Sequence, residues 1–269
     1  GGEGRRLLVL GGAGFVGREV CRLAAARGYE VTSLSRRGQN PRPEDPLLQR
    51  VRWLSGDARI EEVVTPLVAS SDAVVHAIGL LFDADSGLGN LNLVVSGSGS
   101  LPEETSSYDE VTRRTAFNAI NALRAAPRGG DENGGSSEPR AVVFVSAAEA
   151  GWPDVDLGPT VEKNLAPEWL KRYLAAKRAV EVELVAAAET GVLRPVIYRP
   201  SLIWSWSKLD VLPAIPIFNL ASAMGVPFVD RTVRVGTLAR AILSGLADGG
   251  VRGVQRVGEM EALARRRTS

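Results

Sequence analysis

In the stretch "RYLAAK", Tyr173 and Lys177 stand four residues apart, so on a helix both side chains leave one face, a single turn from each other. A phenol and an ammonium in that relation can do proton chemistry: the cation favours the phenolate, and the phenol exchanges a proton with a carbonyl or an alcohol. Moving a tyrosine pKa from about 10 toward 7 needs roughly 4 kcal/mol of differential stabilisation, so the pair must face a desolvated cleft. Ser146 closes the apolar run "VVFVS", and Ala147 and Ala148 occupy the next two positions.

The second chemical feature is "LLVLGGAGFVGREV", where Gly11, Gly12, Gly14 and Gly17 follow four aliphatic residues. Gly11, Gly14 and Gly17 make GxxGxxG between a strand and a helix, as a pyrophosphate site demands: one glycine for the tight turn, one for close approach of the phosphate, one for helix packing. The backbone from Gly11 through Gly12, Ala13, Gly14, Phe15 and Val16 to Gly17 then offers amides and a positive dipole end to an anion. The residue that meets the adenine ribose is expected about 20 positions later, at the tip of the second strand. That tip reads "SLSRRG", with Ser35, Arg36 and Arg37 and no carboxylate. A guanidinium binds phosphate bidentately, whereas an acid would repel it, so NADP is favoured over NAD. Two adjacent arginines also suit a solvated surface loop.

These groups need a scaffold. Short β-branched runs ("RRLLVL", "YEVTSLS", "VRWLS", "DAVVHAI", "AVVFVS", "VLRPVIYRP") alternate with longer helical patterns ("REVCRLAAARG", "YDEVTRRTAFNAINALRAA", "APEWLKRYLAAKRAVEVELVAAAETG"). Alternation of that kind predicts parallel βαβ units and an α/β, doubly wound, mostly parallel sheet of Rossmann type, strand order 3-2-1-4-5-6. A single domain is expected over 1–269, with a dinucleotide-binding core at 5–200 and a small substrate or partner lobe at 201–269. The Gly/Ser/Pro-rich stretches 83–107 and 127–139 read as surface loops.

Composition removes other classes. The chain has 269 residues, 45% hydrophobic, and a formal net charge of +1, so no global field draws it to nucleic acid, and none is expected as a partner. One cysteine, Cys21, and one histidine, His76, leave a His/Cys zinc site without enough ligands, so no metal is expected. His76, at the end of an apolar run, is expected to cap the fourth strand without titrating, and Cys21 to be a small buried hydrophobe. No stretch reaches the roughly 20 apolar residues of a membrane span. A targeting leader is expected to lie outside this sequence.

The glycine loop, "SGDAR" after the third strand, "VVHAIG", "VFVSAAEAGWP", "YLAAK" and "YRPSLIW" together resemble an atypical or extended short-chain dehydrogenase/reductase over almost the whole chain. More narrowly, "VVHAIGLL", "YDEVTRR", "FVSAAEAG", "YLAAKRAVEVEL" and "RPVIYRPSLIW" are similar to the dehydrogenase-like proteins of the coenzyme Q (ubiquinone) synthesis complex and their plant and algal organellar relatives, and more distantly to the nucleotide-binding accessory subunit of respiratory complex I. The resemblance implies an adenine contact for Asp57, an adenosine-side wall from Ala77, Ile78 and Gly79, a ribose-holding role for Lys177, a cofactor-side position for Pro200, and a mitochondrial or chloroplast setting. It also exposes departures. The catalytic Ser or Thr expected just beyond Ser146 is replaced by Ala147 and Ala148, and the asparagine expected after "YxxV" is Thr112. Such a pattern suits either an oxidoreductase acting on a hydrophobic carbonyl or quinone-like compound, or a cofactor-retaining subunit of an organellar membrane complex with weak or vanished chemistry.

"IWSWSKLDVLPAIPIFNLASAMGVPF" carries Trp204, Trp206, Phe218 and Phe228 with few charges. It reads as a pocket for an apolar ligand, a patch for membrane-complex subunits, or a core helix beneath the sheet. "RVGTLARAILSGLADG" is expected as a helix closing that lobe, "GVQRVGEM" as a short late strand, and "ARRRTS" as a solvated tail.

Overall fold

The computed structural model describes residues 2–79, 107–126, 138–205, 219, 220, 222, 224 and 230–266. Seven strands form one parallel sheet: β1 (Arg6–Leu10), β2 (Glu30–Ser35), β3 (Arg52–Ser55), β4 (Ala73–His76), β5 (Arg140–Val145), β6 (Leu193–Tyr198) and β9 (Gly253–Gln255). Their order is β3-β2-β1-β4-β5-β6-β9, so the expected 3-2-1-4-5-6 arrangement is present with one further strand parallel to β6. Two short strands, β7 (Ile203–Trp204) and β8 (Val233–Arg234), pair with each other apart from it.

Strand period 2 divides the core between two faces. Leu7, Val9, Val75, Val143 and Tyr198 point to one side, where α1 (Phe15–Ala26), α6 (Val235–Ala247) and α7 (Val257–Arg265) cover them. Leu8, Leu10, Val74, Val142, Phe144 and Ile197 point to the other, under α2 (Glu61–Ala69), α3 (Thr115–Ala125) and α5 (Glu168–Glu189). A shorter helix, α4 (Gly158–Leu165), precedes α5. Every residue of β4 is buried, as continuous hydrophobicity covered on both faces requires. Cys21 is fully buried against this core, and burial raises its thiol pKa.

The C-terminal part differs from its expected reading. The helix expected to close a lobe is α6, and its apolar side, Leu238, Ala239, Ile242 and Leu246, belongs to the core shared with β1, β5 and α1. In "GVQRVGEM" only Gly253–Gln255 is strand. Helix α7 begins at Val257 because Arg256 and Glu259 form a reciprocal cap, and it buries Met260 and Leu263. The helix therefore takes in Ala264 and Arg265 of the expected tail. Most of the two Gly/Ser-rich stretches, together with Trp206, Phe218 and Phe228, lies outside the described residues. Among the described residues no helix is long and apolar enough to cross a membrane.

Tyr198 ties α6 to the sheet: its fully buried hydroxyl donates to the Ala241 carbonyl at 2.7 Å. Tyr198→Phe is expected to cost about 0.5–1.5 kcal/mol, the net worth of one buried hydrogen bond, because the Ala241 carbonyl keeps its bond within the helix. Chemical denaturation at neutral pH measures it, and an unchanged midpoint would show that the bond carries no stability.

Candidate functional site

The bare backbone of the glycine turn sets the site. Gly11 adopts φ +85°, and a Cβ there would lie 2.9 Å from the Ile78 side chain. A Cβ on Gly12 would lie 2.3 Å from Ser33 Oγ, and one on Gly17 would lie 2.3 Å from the Gly11 carbonyl oxygen. No side chain fits at these points, so the glycines are what let α1, β1, β2 and the tip of β4 meet. The Gly14 amide donates to Gly11 O at 3.0 Å, and the first full helical turn begins with Arg18 N to Gly14 O at 2.9 Å. The first turn of α1 holds no acidic residue, so no side chain there neutralises its positive dipole end. Phe15 and Val16 open that turn, and Ala13 lies in the turn before it. This geometry fits a diphosphate bridge.

The groove extends both ways along the strand ends. On one side the Gly11 amide bonds Leu34 O at 2.9 Å, Ser35 Oγ accepts from the Gly38 amide at 3.2 Å, and Ser55 Oγ donates to Arg36 O at 2.8 Å. Arg36 and Arg37 are exposed at this tip. Asp57 follows, but Arg59 grips both of its carboxylate oxygens, Oδ1 at 3.1 Å and Oδ2 at 2.6 Å, and this pairing lowers its pKa first among several effects. An adenine contact from Asp57 would have to compete with its own neighbour. On the other side the Ala77 amide bonds Leu10 O at 2.9 Å, Ile78 packs against Gly11, and Gly79 lies over Lys177, whose Nζ would be 3.9 Å from a Cβ placed there.

Lys177 is the buried cation of this groove. It is 3% exposed, donates from Nζ to Val145 O at 2.7 Å, and lies 4.8 Å from the Phe144 ring centre and 5.6 Å from that of Tyr173. Burial pulls its pKa down to about 8, and Glu181, one turn further along α5, opposes that shift. Glu181 is itself held by Arg199, with Asp154 as a second partner. Tyr173 keeps part of its surface in solvent, yet Ala147, Ala150 and Leu174 cover much of the ring and Tyr108 meets it edge-on at 5.5 Å. Burial, then the charge of Glu149 and then Tyr108, hold its phenol pKa above the usual value. The phenol is therefore a proton donor in this state, and a phenolate would need added positive charge. Ser146 is buried, and its Oγ has no partner among the described residues. The Pro200 carbonyl accepts from the Ala148 amide at 2.9 Å, which locks the ends of β5 and β6 together.

The surroundings of His76 and Thr112, and the place of Glu149, escaped the sequence reading. His76 is indeed buried at the end of β4, with its pKa pushed down to about 3 by burial and then by Lys177, so it stays neutral. Its Nε2 lies 2.8 Å from Thr115 Oγ1, a hydroxyl that donates to Val111 O at 2.7 Å and so accepts from the ring. Thr112 lies on a π-helical turn, Asp109–Arg114, with its hydroxyl buried and without a partner among the described residues. Such turns recur at functional sites. Glu149 is half-buried beside Tyr173, and burial raises its carboxyl pKa. No periodicity marks these residues, because their proximity comes from the β4–β5 register, His76 opposite Phe144, and from the packing of α5 on the π turn.

The NAD dependent epimerase/dehydratase family matches residues 7–210. The chain belongs to this family. Within it, MIOREX complex component 2 of Saccharomyces cerevisiae is 24% identical over 77% of this chain and 76% of its own length. An uncharacterised chloroplastic protein of Arabidopsis thaliana is 29% identical over 77% of this chain, which spans only 54% of that relative. A 2-alkyl-3-oxoalkanoate reductase of Stenotrophomonas maltophilia is 25% identical over 77% of this chain and 54% of its own. Among solved structures, the enzyme WbmF of Bordetella bronchiseptica in complex with NAD+ superposes with a TM-score of 0.61 at 16% identity, over 98% of this chain and 77% of that one. The 3-hydroxyacyl-CoA dehydrogenase type-2 of Mycobacterium avium gives 0.61 at 20% identity over 94% of both chains. The likenesses to solved structures show the Rossmann fold, and the family match supports a nucleotide-binding, oxidoreductase-like protein.

The lysine makes stability depend on pH in a particular direction. Its folded pKa, about 8, lies below the unfolded value near 10.5, so between those values the unfolded chain binds more protons and stability rises with pH. Relative to Lys177→Met, the wild type is expected to gain up to about 3 kcal/mol from pH 8 to 10.5. Denaturant midpoints of both proteins across that range read the difference, and parallel curves would show that the ammonium is not buried in solution.

Proposed function

We propose that the protein is an NADP(H)-binding oxidoreductase that reduces a hydrophobic carbonyl or quinone-like compound, with Tyr173 as proton donor and Lys177 holding the nicotinamide ribose. The single observation that carries this reading is the desolvated Lys177 ammonium lying under Gly79 and beside the Tyr173 ring, near Ser146, whose hydroxyl has no partner among the described residues. When bound, the dinucleotide supplies hydride and its ring charge. The protein's own groups orient the ribose from Lys177, offer the substrate oxygen the Ser146 hydroxyl, and pass the proton from Tyr173 Oη. That order is consistent with a phenol whose pKa lies high until positive charge arrives. NADP is favoured by Arg36 and Arg37 at the β2 tip, whose sequence "SLSRRG" carries no carboxylate. A carbonyl substrate is in keeping with the relative named for reducing a 2-alkyl-3-oxoalkanoate. The segment 201–228 then serves as substrate or partner face, in an organellar setting suggested by the chloroplastic relative.

A second reading is that the protein is an assembly subunit of an organellar complex that keeps the nucleotide as a structural ligand. It draws on the relative named as a MIOREX complex component, and on Lys177 donating to Val145 O while Ala147 and Ala148 replace the usual hydroxyl.

The purified protein is expected to release NADP(H) on denaturation, and Gly17→Ala to weaken titrated NADP by at least about tenfold, because its Cβ displaces the Gly11 carbonyl. Tyr173→Phe is expected to lower hydride transfer from NADPH to a quinone or 3-oxo compound by about 10²-fold or more, with NADP affinity kept. Turnover indifferent to Tyr173→Phe would remove the proposed chemistry. Retained nucleotide with no turnover, in a protein that co-purifies with a large complex, would select the second reading.

A further inference from the structure

Beyond the glycine turn, on the other side of the first turn of α1, lies a cavity of about 360 Å³ between that helix, the loop after β2 and the start of α6. Arg18, Arg42, Arg234 and Arg240 line it, and Trp204 forms one wall with the Arg234 guanidinium 5.4 Å from its ring centre. One carboxylate, Glu19, also faces in, but Arg22 from the same helix binds both of its oxygens at 2.9 Å and 2.7 Å. Among the described residues none of the four lining arginines forms an ion pair. Several arginines elsewhere pair with acids: Arg6 with Asp72, Arg59 with Asp57, Arg178 with Glu162 and Arg199 with Glu181.

The four guanidiniums come from separate elements, so local sequence does not oblige them to share a cavity. Arg18 feels the arrangement: its pKa is lowered, first by burial and then by the charge of Arg42. Four like charges gathered around one carboxylate, which Arg22 already holds, cost free energy that a bound anion recovers, and a guanidinium fork matches phosphate oxygens. The cavity is larger than one phosphate requires, and the Trp204 face offers a stacking surface for the organic part of a ligand.

We infer that this cavity binds the phosphate of a small organic phosphate, held by Arg18, Arg42, Arg234 and Arg240. The phosphate can belong to the 2′ position of the dinucleotide or to a separate phosphorylated compound, and the two sources are separable by experiment. The inference does not depend on redox activity.

The test is calorimetric titration of the full chain with inorganic phosphate at low ionic strength, first unliganded and then saturated with NADP. The expected result is saturable binding that Arg18→Ala and Arg234→Ala each weaken at least about tenfold, while Arg52→Ala, an exposed arginine of β3, leaves it unchanged. If the source is the 2′-phosphate, NADP abolishes phosphate binding, and Arg234→Ala weakens NADP about tenfold while sparing NAD. If it is a separate compound, phosphate binds the NADP-saturated protein as before. Circular dichroism confirms folding of each variant. No saturable phosphate binding, or equal loss in Arg52→Ala, overturns the inference even where NADP itself still binds.

Discussion

The contact between Gly17 and the Gly11 carbonyl governs everything built at the strand ends. With a Cβ position only 2.3 Å from that oxygen, α1 can approach the β1 turn only as bare backbone. This closeness lets Val20, Cys21 and Ala24 bury completely on the sheet one turn later. It also fixes the direction of the first-turn amides. A helix displaced outward by a methyl group would lose core packing and anion geometry together, so stability and binding share one steric constraint.

The buried ammonium is the second constraint, and it works through charge. An ionised lysine at 3% exposure is costly unless its protons are used, and here the Val145 carbonyl takes one while Glu181 supplies a counter-charge one helical turn away. Glu181 in turn needs Arg199, so the network runs from the groove to the end of β6. His76, close enough to Lys177 for the charge to press on its pKa, stays neutral and is held by Thr115. A second cation beside Lys177 would raise the cost of the first, which is why a histidine rather than a permanently charged residue is tolerated there.

Much of this was legible in the sequence. Parallel strands buried on both faces announce themselves as short apolar runs, and GxxGxxG after such a run has few uses in an α/β chain, so sheet order and glycine turn followed from local pattern. Tyr173 and Lys177 were visible because helical periodicity alone places them together. The Thr115 hydroxyl on His76, the buried hydroxyls of Thr112 and Ser146 that have no partner among the described residues, and Glu149 beside Tyr173 were not, since strand register and helix docking create those surroundings, across 39 residues in the first case. Asp57 was visible as a residue but not as a partner of Arg59, a local pair that its expected role obscured. The C-terminal elements were misread because an amphipathic helix such as α6 carries the same signature whether it closes a lobe or covers a sheet.

Helix α1 shows how one element serves three environments. Its apolar stripe meets the sheet and its first turn meets the groove, while its outer side carries Arg18, Glu19 and Arg22. Glu19 and Arg22 are i,i+3 neighbours and satisfy each other. Arg18, adjacent in sequence to Glu19, points elsewhere around the helix and leans toward Arg42 and the start of α6. Had the chain needed only solubility there, a second acid on α6 facing Arg18 would have neutralised the cluster. The first turn of α6 instead contains no acidic residue, and Arg240 reaches back to Thr237. The excess of positive charge on this side of α1 is therefore a property of the tertiary arrangement: two helices brought together by apolar packing leave rims richer in arginine than in acid facing a shared cavity.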